Sequence, residues 1–375
     1  MKLYTEKKEC CGCGACVDVC PAKAVYMVSD EEGFLYPQVN ASLCIKCKRC
    51  EAVCPMKKPT EGCGECENAY FGIQAESETI RYGSSSGGMF PILAEYVFRH
   101  QGVVYGAAYD EAMKVVHKEV QNREELEAVK RTKYVQSDMR GIFRRIEVQL
   151  GEGRLVLFCG TPCQASALRL FLNKSYSNLI IADLICYGVP SPGIWEAYVQ
   201  YLEKKHKGKM TAFSFRDKRN RDNGHTCSYV IDGKEYAGSL YRDIYCRMYF
   251  KNYTLRPSCY RCPFCTVERS SDITLGDFWG IEKVRPDAED GMGTSLAILH
   301  TDKMNHVWEQ TKEGLFWFEC EKENILQPRL KEPTPMAAKR ERFMTFYRTI
   351  PFSLFLTMFG KWESLNTWLR RFGKR

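Results

Sequence analysis

Two stretches of the chain repeat one arrangement of cysteines 34 residues apart. The first is Cys10-x-x-Cys13-x-x-Cys16-x-x-x-Cys20-Pro21 and the second is Cys44-x-x-Cys47-x-x-Cys50-x-x-x-Cys54-Pro55. Three thiolates at this spacing sit on one tight loop and reach three corners of a cubane iron–sulfur cluster. The fourth, followed by proline, turns away to serve the cube of the other run. The expected ligand sets are therefore Cys10, Cys13, Cys16 and Cys54 for one 4Fe-4S cluster, and Cys44, Cys47, Cys50 and Cys20 for a second. Structural zinc takes four ligands, usually as two separated pairs, and two four-cysteine runs each ending in Cys-Pro do not fit that pattern.

The segment resembles a bacterial two-cluster ferredoxin over about residues 1–60, with a longer insert between its halves. Cys11 has no part in this scheme and reads as a small buried residue. Cys63 and Cys66 follow the repeat as Cys-Gly-Glu-Cys. They read as spare thiols on a polar linker, with a metal or redox pair as the alternative.

A third group of chemically capable residues lies further on. Leu155-Val156-Leu157-Phe158 suits a buried parallel strand and runs into Cys159-Gly160-Thr161-Pro162-Cys163. Thr161 is a good N-cap and Pro162 a good first helical residue. Cys163 then falls in the first helical turn, where free N–H groups and the dipole favour an anion. Leu179 to Ile185 repeats the pattern as a strand ending at Cys186, with Ser191-Pro192 opening the next helix. Ligands bind at the carboxyl ends of strands in open parallel sheets, so Cys163 and Cys186 are expected to be neighbours there. Cys259, Cys262 and Cys265 follow at C-x-x-C-x-x-C spacing. Cys163, Cys186, Cys259 and Cys262 would complete a four-thiolate site. The alternative is that Cys259, Cys262 and Cys265 bind zinc or stay free.

Tyr82-Gly83-Ser84-Ser85-Ser86-Gly87-Gly88 precedes an apolar helical stretch from Met89 to Arg99. Such a loop offers N–H groups and hydroxyls to a phosphate; a plain loop and helix cap is the competing reading.

Five ordered blocks carry a family resemblance: Ser84 to Gly88; Gly160 to Gln164; Asp183 to Ser191; Leu255 to Cys262; and Thr274-Leu275-Gly276-Asp277-Phe278-Trp279-Gly280. Over about residues 65–335 the chain resembles the beta subunit of coenzyme F420 hydrogenases and dehydrogenases. That resemblance implies an iron–sulfur flavoprotein with FAD and a further cubane cluster beside it. The cluster would be held by Cys163, Cys186, Cys259 and Cys262. It also implies hydride exchange with a deazaflavin, although relatives reduce other substrates. Ser84, Ser85, Ser86, Gly87 and Gly88 would fall near the flavin. Lys133, Tyr134, Gln136 and Ser137 are further candidates there, with solvated surface as their alternative, and Asp277 and Trp279 either line the flavin or pack at a strand end. One departure is Tyr187, where the family usually has His. No residue marks a deazaflavin pocket.

These sites need elements to hold them. The expected fold is an N-terminal bacterial ferredoxin-like module of α+β type over 1–62. An α/β FAD- and cluster-binding domain over 66–335 and a basic amphipathic tail over 336–375 follow. The 375 residues are 45% hydrophobic and 27% charged, enough for a sizeable core. Twenty cysteines, eleven of them in the first 66 residues, with no secretory or membrane-spanning pattern, point to a reducing, cytoplasmic setting and to metal ligation rather than disulfides. The net charge is +8, but nine Lys/Arg against two acids lie after residue 335, leaving a near-neutral body. That argues against nucleic acid and against a zinc-rich nucleic-acid binder. In the tail, Phe352, Phe355, Phe359, Trp362, Leu365, Leu369 and Phe372 recur at helical spacing. A helix packed on the body is favoured over one lying on a membrane or a partner.

The parts together read as an oxidoreductase. Electrons would pass between a redox partner protein or ferredoxin, the clusters, FAD and a small hydride donor or acceptor. A non-catalytic electron-transfer subunit without flavin is the alternative. No Ser/His/Asp or paired-carboxylate arrangement calls for hydrolysis.

Overall fold

The computed structural model describes residues 3–59 and 67–360. Cys63, Cys66 and the tail positions Trp362, Leu365, Leu369 and Phe372 lie outside them.

The N-terminal module is small. Strands β1 (Val25–Ser29) and β2 (Leu35–Val39) pair antiparallel, and one-turn helices Ala15–Asp18 and Arg49–Ala52 follow the two cysteine loops. Little apolar mass is available inside it, so its fold leans on what lies beneath.

The body is built on one eight-stranded sheet. Its strands are β3 (Ala69–Ala75), β4 (Val103–Tyr109), β5 (Val115–Val120), β6 (Val156–Gly160), β7 (Leu179–Leu184), and three late ones described below. Strands β8 (Met210–Asp217), β9 (Thr226–Ile231) and β10 (Lys234–Ser239) form a separate antiparallel sheet. Strands β11 (Ile273–Asp277), β12 (Ser295–Leu299) and β13 (Leu315–Glu319) complete the large sheet, in the order β13-β3-β12-β11-β7-β6-β4-β5. The four central strands β11, β7, β6 and β4 are parallel, and antiparallel strands flank them on both sides. Their near-continuous apolar sequences match burial on both faces.

Helices cover the two faces. Met89–Arg99 and Asp302–Thr311 pack on one, burying Leu93, Val97, Met304 and Trp308. Ile142–Gly151 and Pro162–Leu172 pack on the other. The N-terminal module docks onto this second helix pair, with Cys11, Cys13, Ala15 and Val53 sharing one apolar cluster with Ile142, Phe143 and Leu168.

The docking is specific. Asp18 of the module accepts hydrogen bonds from the Gly141 and Phe143 amides at 2.8 and 3.2 Å, capping a body helix whose first N–H groups would otherwise be unsatisfied. Gly33, at φ +81°, lies so close to Gly193 that a β-carbon on it would meet the Gly193 Cα at 2.5 Å. Glu32 pairs with Arg340 in the interior. The module is thus held by main chain, charge and apolar contact at once.

The helix Arg340–Thr349 and the helical segment 352–360 pack against the body. Phe343, Met344, Phe355, Leu356 and Phe359 are buried with Tyr253 and Tyr245. For the described part of the tail this is the packed helix that apolar spacing favours. Among the described residues, no helix is long and apolar enough to cross a membrane.

Candidate redox centre

The twelve cysteines singled out by spacing and resemblance form three groups in space. Cys10, Cys13, Cys16 and Cys54 line one hollow of the N-terminal module, together with Gly12 and Gly14. Cys20, Cys44, Cys47 and Cys50 line a second. Cys20 and Cys54 each sit with the other run, and Cys50 borders both hollows. The two rings differ in setting. Cys13 is buried, while Cys47 is exposed on a loop carrying the exposed side chains Leu43 and Ile45.

The third group is assembled by local backbone chemistry. Thr161 caps the helix Pro162–Leu172 in a reciprocal arrangement with Gln164, which fixes Cys163 in the first turn with its sulfur 3.2 Å from the Thr161 hydroxyl. The loop after β7 is pinned to the segment before Cys259. Arg256 N–H donates to Val189 O at 3.0 Å, Ser191 N–H donates to Thr254 O at 2.9 Å, and Pro190 bridges to Leu255. Cys186 and Cys259 are brought together by these bonds. Val189 N–H points at the Cys259 sulfur at 3.5 Å.

The electrostatics of the thiols report their crowding. Burial, with Cys259, Cys163 and Cys262 alongside, holds Cys186 well above the ordinary thiol range. Burial, with Cys262 and Cys163 alongside, pushes Cys259 to about 12. In the first N-terminal ring, burial and then Cys10, Cys54 and Cys50 raise Cys16. Such thiols keep their protons until a metal displaces them, so metal loading would release protons. Among the described residues, no three Cys, His, Asp or Glu side chains stand close enough to hold a single metal ion. The N-terminal sulfurs instead line two hollows, which suit a cube with iron at its corners better than one central ion.

Cys265 adds a fifth sulfur to the body group. Cys262 beside it holds its thiol below the ordinary range, and Cys186 is near. The C-x-x-C-x-x-C spacing signals it. Cys159 stands apart, with burial, Asp183 and Lys133 as its surroundings and a pKa of about 12. Cys11 is buried, as its size suggests, but it also packs with Cys13 and Cys163 in one apolar cluster. It therefore links the first N-terminal ring to the body ring.

The Ser-Gly loop is more committed than its composition implies. Ser84 Oγ donates to Ile80 O at 2.7 Å, Ser86 Oγ donates to Thr294 O at 2.9 Å, and Ser85 Oγ accepts from Thr132 N–H at 2.8 Å. Beside the loop stands a group of cations: Arg81, Arg216 and the buried Lys218. Lys218 donates to Arg81 O and Ser86 O, and burial, then Arg216, lowers its pKa to about 7. Asp290 and Asp277 answer Arg81 and Arg216. Arg81 Nε, Arg216 Nε and Asn223 Oδ1 are buried without a hydrogen-bond partner.

The four positions Lys133, Tyr134, Gln136 and Ser137 are not solvated surface. Lys133 Nζ donates to the carbonyls of Ala128, Lys130 and Arg131. Tyr134 packs among Phe215, Tyr249 and Phe250. Gln136 donates to Cys11 O at 2.8 Å, and Ser137 accepts from Gln164 at 3.0 Å. The last two face the cysteine rings. Asp277 holds Arg216, Trp279 is exposed, and the Tyr187 hydroxyl donates to Asn252 at 2.6 Å. Arg256, inside the block Leu255 to Cys262, carries no signal of its own in the sequence. It is fully buried and reaches across to Cys10.

Comparison with known proteins finds matches to two stretches of the chain. Residues 9–58 match the family described as 4Fe-4S dicluster domain. Residues 153–323 match the family described as the C terminus of the beta subunit of coenzyme F420 hydrogenase/dehydrogenase. An uncharacterized ferredoxin of Methanocaldococcus jannaschii is 34% identical over 55 residues, which are 15% of this chain and 70% of that protein. The F420-reducing [NiFe] hydrogenase complex from Methanosarcina barkeri contains a chain with 15% identity and a TM-score of 0.44, the match covering 76% of this chain and 88% of that one. The chain therefore joins an N-terminal ferredoxin of the 4Fe-4S dicluster family to a region that matches the C terminus of the coenzyme F420 hydrogenase/dehydrogenase beta subunit.

Proposed function

We propose that the protein is an iron–sulfur flavoprotein oxidoreductase. It would pass electrons between three 4Fe-4S clusters and FAD, and on to a hydride-accepting substrate such as coenzyme F420 or a related acceptor. Cubane clusters carry single electrons, and a flavin accepts one or two, which joins such a relay to hydride chemistry. In this reading Cys10, Cys13, Cys16 and Cys54 hold one cluster and Cys20, Cys44, Cys47 and Cys50 the second. Cys163, Cys186, Cys259 and Cys262 hold the third.

The observation that carries the reading is the packing of Cys11, beside the inner N-terminal ring, with Cys163 of the body ring in one apolar cluster. It sets the inner N-terminal ring against the body ring within a buried, charge-locked interface. A relay needs that fixed adjacency; a storage or structural role for the metals does not. The exposed loop with Leu43, Ile45 and Cys47 offers the outer ring to a redox partner protein or ferredoxin. For FAD, the unpartnered Arg81 Nε and Arg216 Nε beside the 84–88 loop, with Lys218 behind it, favour an anionic group such as the flavin diphosphate.

The test is anaerobic reconstitution followed by iron, sulfide and flavin analysis and then reduction by a strong donor. Bound flavin should become reduced together with the iron–sulfur chromophore. Flavin that stays oxidised while every cluster is reduced would refute the wiring. A second reading, an electron-transfer subunit without flavin, is favoured by the Ser84 and Ser86 hydroxyls, which are already spent on main-chain carbonyls. It predicts iron and sulfide without extractable FAD.

A further inference from the structure

Arg256 occupies an unusual place. It is fully buried, and its Nε donates to Cys10 O at 2.7 Å. One Nη donates to Gln136 Oε1 at 2.9 Å; the other reaches Leu35 O at 3.0 Å and the Cys10 sulfur at 3.6 Å. The guanidinium lies over the Tyr36 ring at 4.1 Å and near Phe34 at 5.3 Å. Its own carbonyl accepts from Cys259 N–H at 2.9 Å. The loop at 10–12 wraps it so closely that a β-carbon on Gly12, at φ +70°, would meet the guanidinium at 2.7 Å.

What Arg256 lacks is a carboxylate. Arg269, Arg340 and Arg81, also buried, each meet one: Asp183, Glu32 and Asp290. Among the described residues no carboxylate oxygen lies within 4.0 Å of Arg256. A buried cation without a countercharge is strongly unfavourable. The acidic group that meets it is the Cys10 sulfur at 3.6 Å, which becomes a thiolate on binding metal.

A cubane held by four thiolates is anionic and becomes more so on reduction. One electron enters, and no bond forms or breaks. Burial disfavours that added charge and so lowers the reduction potential; a nearby cation or a hydrogen bond to sulfur raises it. The inner ring, with buried Cys13, suffers this penalty more than the outer ring with exposed Cys47. Left alone, the inner ring would be the harder of the two to reduce, and inward passage of electrons would stall there.

We propose that Arg256 is a potential-setting residue. Its fixed charge, seated on Cys10, lifts the reduction potential of the cluster held by Cys10, Cys13, Cys16 and Cys54 and so keeps that cluster within reach of the outer one. This rests on the cluster reading given above. Arg256 touches the ligand loop and acts on the cluster through it, so it is a positioning residue. Gln136 is its auxiliary. It accepts from Arg256 and donates to Cys11 O, holding the guanidinium against the loop.

The experiment is a redox titration of the full-length, anaerobically reconstituted protein, followed by electron paramagnetic resonance of the reduced clusters. The signal lost in Cys13→Ser identifies the inner ring. Arg256→Gln should move that ring to lower potential and leave the Cys20, Cys44, Cys47 and Cys50 ring where it is. Arg256→Lys, which keeps the charge, should restore most of the shift. Gln136→Glu sets a carboxylate against Arg256, neutralises it in place, and should lower the same potential. This second variant carries the test should Arg256→Gln lose its iron. Arg256→Gln and Gln136→Glu proteins with full iron and sulfide that titrate like the parent would overturn the proposal. A parent that takes up no iron and sulfide would instead refute the cluster reading itself.

Discussion

Arg340 and Glu32 form a buried ion pair between the C-terminal helix and the hairpin of the N-terminal module, with Nη2–Oε2 at 2.5 Å and Nη1–Oε1 at 3.2 Å. Residues 308 apart in sequence are thereby locked together. Removing either partner leaves a lone charge in the interior. Arg340→Ala is expected to destabilise the protein by about 3–5 kcal/mol, read as a lower urea midpoint. Arg340→Met combined with Glu32→Leu should lose far less than the two single changes summed, because no charge is then stranded.

Asp18 supplies the cap for a helix that belongs to another part of the molecule. Asp18→Ala should reduce stability by about 1–2 kcal/mol, and Asp18→Asn by a fraction of that, since an amide oxygen can still accept from Gly141 or Phe143. Denaturant titration of both variants decides this. Equal losses would show that the charge, and not the cap, matters.

Cysteine replacements separate the three rings. Cys163→Ser or Cys186→Ser should lower iron and sulfide content by about a third and leave the N-terminal clusters intact. Cys11→Ala should keep all the iron, because Cys11 packs against Cys163 without belonging to any of the three ligand sets. A Cys186→Ser protein with the parent's full iron would remove the body ring from the account.

Two buried histidines should make the fold sensitive to mild acid. Burial lowers His117 to about 4 and His300 to about 3, from an ordinary 6.5. Between about pH 6.5 and 4 the unfolded chain takes up protons that folded His117 refuses. The stabilisation is therefore full above pH 6.5, falls as the pH drops toward 4, and levels off below. For His117 alone the loss is on the order of 3 kcal/mol. His117→Gln, which can still donate to Cys159 O, should show a flatter profile of urea midpoint against pH over that interval. An unchanged slope would exclude His117 as its source.

Local chemistry was readable in the sequence where covalent spacing dictates geometry. The cysteine repeats, the cap formed by Thr161 with Gln164, Pro162 and Pro192 as first helical residues, and the strands before Cys159 and Cys186 all follow from contacts within a few positions. The arrangement of strands did not. That β3 lies between β12 and β13 is a matter of which apolar faces meet, and apolar runs of equal length look alike. The 84–88 loop shows the same limit from the other side. Its hydroxyls were legible as donors, but the carbonyls of Ile80 and Thr294 that take them were not. Arg256 was hidden because arginines are common and its meaning lies in the missing carboxylate.

The place of β3 in the sheet bears on how the protein is made. It is the first body strand to leave the ribosome, yet its two neighbours, Ser295–Leu299 and Leu315–Glu319, are more than two hundred residues away. Both edges of this strand stand open to stray pairing until translation has passed residue 299, and one until residue 319. The nascent chain must wait in that exposed form, so the late arrival of these two strands sets when the sheet can close.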